Sequence, residues 1–160
     1  MATFTNTRAG GTVAGYHGHV GNDIFTHEIN IADALTNNST ATTGDQFAVV
    51  TVPADSFFKL LQVENATALD LDSGSSQQID VGDGTDDDEF VAAATTEAAG
   101  TNHTIAKQTF TGGQVISASD TVYLKLTGDK ITDGSATGTI RFVFKMHDTA
   151  RNAPMDTITL

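Results

Sequence analysis

Residues 77–94 read QQIDVGDGTDDDEFVAAA: an alternating run, a dense acidic turn and a second apolar run. Ile79 and Val81 alternate with Gln78, Asp80 and Gly82, the period of a strand with one face buried. Phe90 opens a second short run after the turn. Gly82-Asp83-Gly84 and Asp86-Asp87-Asp88-Glu89, which lie between, are residue types that favour turns and disfavour helix and strand alike. The stretch predicts a β-hairpin anchored in the core by Ile79, Val81, Phe90 and Val91, with residues 83–89 projecting into solvent or toward a neighbouring subunit.

The same period recurs on both sides of the hairpin. Downstream, DTVYLKLT (120–127) sets Val122, Leu124 and Leu126 against Thr121, Tyr123, Lys125 and Thr127. TIRFVFKMH (139–147) sets Ile140, Phe142, Phe144 and Met146 against Arg141, Val143, Lys145 and His147, the clearest strand pattern in the chain. Upstream, Phe25, His27, Ile29 and Ile31 alternate with Thr26, Glu28 and Asn30, and a polar loop follows over 36–45. Residues 47–52 are apolar on both faces, as in a central strand, and Pro53 ends them. SFFKLLQV (56–63) fits a helical face as well, but its length and the preceding turn favour a strand. Leu69 and Leu71, residues 104–110, and Val115 with Ile116 supply further short strand signals, and the Ala-rich 91–100 is compatible with a turn of helix. Roughly eight short strands without helical patterns between them predict an all-β antiparallel sandwich, with a jelly roll as the preferred form and the strand order left open.

At 160 residues the chain fits one domain. We read residues 1–22 as a Gly-rich N-terminal arm, 23–148 as the sandwich and 149–160 as a C-terminal tail. Phe4, Val13 and Tyr16 give the N-terminal arm apolar anchors for lying across a partner. The lack of cysteine removes disulfides, thiolate metal sites and cysteine nucleophiles. A formal charge of -12 opposes binding to a phosphate backbone, so no nucleic-acid partner is expected. No apolar stretch approaches signal-peptide or membrane-spanning pattern, which predicts a soluble product made in a cytoplasm with no membrane partner.

Few motifs carry chemistry. Asp80, Asp83, Asp86, Asp87 and Asp88 offer oxygen ligands for calcium, but the glycines precede the acids, unlike the order in an EF-hand loop. Gly11, His17 and His19 match the opening G-x5-H-x-H of the cupin metal motif, whose glutamate and second half are missing here, so they are read as arm histidines. His27 is read as a hydrogen-bonded core histidine; His103 and His147 need no special role. Nothing selects a catalytic carboxylate pair among twenty acids, and no nucleophile elbow or P-loop is present. No enzyme activity and no cofactor are expected.

The run DVGDGTDDDEFVAAA, preceded by FFKLLQVENATALDLDSGSS and followed by SASDTVYLKLTGDKITDGSATGTIRFVFKM, resembles small virion structural proteins of tailed bacteriophages, of the head decoration or cement type. The resemblance spans about residues 45–147, and Asp86-Asp87-Asp88 departs from the Gly-Thr-Asp-Pro form that such turns often take. It implies a non-enzymatic protein that assembles, commonly as a homotrimer, on the capsid exterior and clamps subunits of the major capsid protein. The alternative is a receptor- or carbohydrate-binding module of a phage fibre or tail, for which Phe57 and Tyr123 are the aromatic candidates.

Overall fold

A computed structural model describes residues 24–110 and 118–148. The strong alternation near the C-terminus forms β7 (Thr139–Asp148), whose neighbours in a three-stranded sheet are β1 (Ile24–Asn30) and β3 (Ser56–Asn65), both antiparallel to it. The second sheet has four strands, in the order β2 (Gln46–Val52), β6 (Asp120–Thr127), β4 (Gln78–Gly82), β5 (Val91–Ala94). All pairings are antiparallel. The all-β sandwich of the sequence reading is therefore present, with seven strands among the described residues. Its winding is nested: the first strand pairs with the last, the second with the next to last, and β4 continues that sheet toward β5.

The core lies between the sheets. β7 contributes Ile140, Phe142 and Phe144; β6 contributes Val122, Leu124 and Leu126; the hairpin contributes Ile79, Val81, Phe90 and Val91, as its alternation requires. Burial of each such side chain stabilises the fold by about 1.5–3 kcal/mol. Single-residue bulges at Val49 in β2 and Leu61 in β3 interrupt the long pairings. On the outer side of the three-stranded sheet, Arg141 bonds Glu28 at 2.7 Å and Glu64 at 3.2 Å, one cation between two carboxylates across three strands.

Three expectations are corrected. Ile31 continues the alternation of β1, yet the strand ends at Asn30 and a helix begins: α1 (Ile31–Asn37), N-capped by the Asn30 side chain accepting from the Asp33 amide, buries Ile31, Ala34 and Leu35. A second short helix, α2 (Asp129–Asp133), buries Ile131. Residues 104–110 do not form a strand. The 100–110 segment follows β3 through separate backbone bonds, from the Asn65 amide to Thr101, His103 to Val63 and Leu60 to Gln108, rather than a continuous ladder.

His103 departs from expectation too, because it is buried and its Nε2 lies 2.7 Å from Asn65 Oδ1. Asn65 is itself buried and donates through Nδ2 to Thr96 and Ala98, so its oxygen faces the ring and His103 Nε2 is the donor. His27 does face the core side of β1, but its buried Nε2 has no hydrogen-bond partner, contrary to the sequence reading. Burial holds both imidazoles below the ordinary histidine range, against a smaller opposing effect of Glu28 on His27. The unfolded chain binds protons at these two sites near pH 6.5, before the fold does. Their contribution is complete above that value and declines as pH falls through it. The melting temperature should hold steady near pH 7.5 and drop between about pH 6.5 and 5, with a shallower slope in a His27→Gln/His103→Gln variant. A wild-type profile flat across that window would contradict the account.

Candidate functional site

The acidic turn joins β4 to β5, and the structure divides its carboxylates into two groups. Asp80 sits in the middle of β4, opposite Lys125 of β6, and is 1% exposed. One of its oxygens accepts from the Ala93 amide at 2.7 Å, and both accept from Gln78 Nε2 at 2.9 Å. Ala93 has a left-handed φ of 49°, because β5 carries one extra residue against β4 there. Asp80 thus stabilises that bulge by receiving its displaced amide. Asp83, also buried, accepts from the amides of Thr85 at 2.7 Å and Asp86 at 2.8 Å, closing the turn from within.

Asp86, Asp87 and Asp88 form the second group. One carboxylate oxygen from each lies within 4.8 Å of the others. Lys125 Nζ donates to Asp87 at 2.7 Å and lies 3.9 Å from Asp80, which draws the lysine pKa upward chiefly through the Asp87 bond. A side-chain hydrogen bond with Asp86 is the main cause that raises the pKa of exposed Asp88, followed by partial desolvation and then by the neighbouring negative charges. Of the five calcium candidates, the fold brings these three together and commits Asp80 and Asp83 to backbone amides. The trio supplies three carboxylates where calcium takes roughly six to eight oxygens.

The expectation that residues 83–89 all project outward is corrected at both ends. Asp83 is buried by its own turn bonds, and the Glu89 side chain is nearly buried against Lys107. What faces out is the short ridge 84–88, in which Asp87 is half-buried and the rest are exposed. The pairing of Asp80 and Asp87 with Lys125 escaped the sequence reading because it depends on the β4–β6 register. The polar face of DTVYLKLT contained the signal, a lone lysine placed to meet an acidic neighbour.

Phe57 and Tyr123 do not form one aromatic platform. Phe57 is on the outer side of β3, with Lys145 Nζ 5.8 Å from its ring centre, whereas Tyr123 is on β6 of the other sheet. Phe4, Val13, Tyr16, Gly11, His17, His19, Val115 and Ile116 lie outside the described residues, as does the C-terminal tail. Among the described residues, no helix is long and apolar enough to cross a membrane.

No protein-family model matches the sequence, and no characterised protein matches it significantly. The fold does have counterparts among solved structures. A chain of the cyanophage Pam1 capsid asymmetric unit is similar at 16% identity with a TM-score of 0.53, over 89% of this chain and 96% of that one. A chain of the capsid of Ralstonia phage GP4 is similar at 17% identity with a TM-score of 0.44, over 81% and 86%. The first likeness is one of fold, and the second is too distant to carry an argument.

Proposed function

We propose that this chain is a non-enzymatic phage virion structural protein that decorates the capsid exterior and stabilises it by binding the major capsid protein, after synthesis in the host cytoplasm. The observation that carries this reading is the near full-length likeness of fold to a chain of a phage capsid asymmetric unit. The sequence resemblance of residues 45–147 to decoration proteins supports it independently. In this reading the sandwich is a jelly roll. The order β1-β7-β3 with β2-β6-β4-β5 is what a jelly roll leaves when its sixth strand is replaced by 100–110 alongside β3. The N-terminal arm, through Phe4, Val13 and Tyr16, makes the partner contact, and the assembly is a trimer. The fibre or tail module is less favoured because Phe57 and Tyr123 occupy different sheets.

Quantitative mass spectrometry of purified virions tests the reading. The expected result is a copy number comparable to that of the major capsid protein, with purified protein rebinding to heads stripped of it. At most a few copies per virion would overturn the reading.

A further inference from the structure

The strands run lengthwise between two ends of unlike construction. At one end lie α1, α2 and the connections 38–45, 66–77 and 95–102, all within the described residues. The apolar side chains there turn inward: Leu35, Ala41, Leu69, Leu71, Ile131 and Ala136 are buried. Among the described residues the large exposed apolar side chains are Ile24, at the opposite end, and Leu61, midway along β3. What the α1–α2 end presents is charge of one sign. Asp33, Asp45, Asp70, Asp72, Asp129 and Asp133, with Glu97, stand in its helices and connections against Lys130, the one cation in them. Lys130 is already paired with Asp70. The Ser76 amide, and after it that of Asp129, holds Asp72 below the usual carboxylate range, and the Ser135 hydroxyl and amide do the same for Asp133. A protein partner covering this end would have to strip water from carboxylates that the fold keeps ionised, and interface cores are depleted in Asp and Glu.

The other end is where the chain enters and leaves. Ile24 opens β1 beside Lys145, and Asp148 closes β7 beside Ser56, so residues 1–23 and 149–160 are joined to the same end. Tyr16 precedes Ile24 by eight residues, a reach of about 28 Å at full extension. The ten residues of β7 alone run about 33 Å toward the acidic end. Tyr16 therefore cannot make a contact beyond α1 and α2.

We propose that the molecule stands on the particle with its strands pointing outward: the Ile24–Asp148 end faces the major capsid protein, and the α1–α2 end forms an acidic outer surface. The inference rests on the proposed decoration role and adds an orientation to it. The terminal segments share the contact, so the Ile24 end need not be bare.

The chain has no cysteine, so single introduced thiols report the orientation directly. Ser39→Cys and Ser75→Cys mark the acidic end, and Ala54→Cys, in the connection from β2 to β3, marks the other; all three positions are exposed. Each variant is labelled with a maleimide-polyethylene glycol, free and bound to heads stripped of the native protein. The Ser39 and Ser75 variants are expected to label equally in both states, and the Ala54 variant to lose its labelling on heads. Loss of labelling in the Ser39 or Ser75 variant, or an Ala54 variant that labels equally in both states, overturns the orientation and leaves the decoration role standing. Failure of the unaltered chain to bind heads overturns the decoration role and the orientation with it. The Asp33→Asn/Glu97→Gln variant adds a second readout. It should bind heads with unchanged affinity and lower their electrophoretic mobility toward the anode, whereas a loss of affinity would place the acidic end in the contact and overturn the proposal.

Discussion

Phe58→Ala is expected to lower the free energy of unfolding by about 3–5 kcal/mol, the range for removing a fully buried aromatic ring. Phe58 is 1% exposed and lies at the meeting point of four parts of the chain. Its ring centre is 5.4 Å from Phe110 in the 100–110 segment, 5.6 Å from Phe144 in β7 and 6.2 Å from Phe90 at the end of the acidic turn. Phe90 and Phe110 also meet edge to face at 5.6 Å. The cost depends on whether the neighbours can collapse into the vacated volume. Here each remaining ring is held by a different element, so collapse in favour of one contact strains another, which places the cost toward the upper end. For a chain of this size the melting temperature should fall by roughly 10 °C or more, whereas Phe58→Leu should cost about 1–2 kcal/mol. Urea unfolding followed by far-UV circular dichroism checks both. A Phe58→Ala cost below about 1 kcal/mol would mean that the four rings do not form one cooperative core.

The four rings also show what the sequence made legible. Phe58, Phe90 and Phe144 belong to runs whose alternation or flanking turns marked them as strand or hairpin residues, because one buried face imposes a period of two on the chain. Phe110 closes a run, TIAKQTF, that carried strand signals without a clean alternation and makes only occasional backbone bonds to β3. Periodicity reports which side chains are buried and does not say whether the backbone completes a ladder. The same ambiguity hid α1. Ile29 and Ile31 are in phase for a strand, and a seven-residue helix is too short to establish its own period. Its one local signal was Asn30 three residues before Asp33, an N-cap that competes with a strand reading only if the cap is sought first. Asp80 was legible as polar but not as buried. Its environment comes from Lys125 and from the bulge at Ala93, both set by pairing with strands distant in sequence.

Gly82→Ala is the second large effect expected, on the order of 3 kcal/mol, combining overpacking with the loss of one or two turn hydrogen bonds. A Cβ at this position would stand 2.0 Å from the Asp86 carbonyl oxygen, and 2.4 Å and 2.6 Å from the carbonyl carbon and Cα of Asp87. These are backbone atoms, so no flexible side-chain end can yield. The turn would have to swing away from β4, breaking the bond from the Asp83 amide to the Asp86 carbonyl at 2.8 Å and lifting Asp87 from Lys125. Asp87→Asn provides the contrast. It weakens only a partly exposed ion pair and should cost less than about 1 kcal/mol. A large penalty for the glycine and a small one for the aspartate would establish that packing against Gly82, rather than attraction to Lys125, fixes the ridge 84–88 in place. Hydrogen exchange at the Asp83 and Asp86 amides adds a local readout, since both should lose protection in Gly82→Ala and keep it in Asp87→Asn. If Gly82→Ala were nearly neutral, the turn would hinge freely on β4. Its carboxylates would then present no fixed pattern to a neighbouring subunit, and any role for this ridge in assembly would have to come from net charge alone.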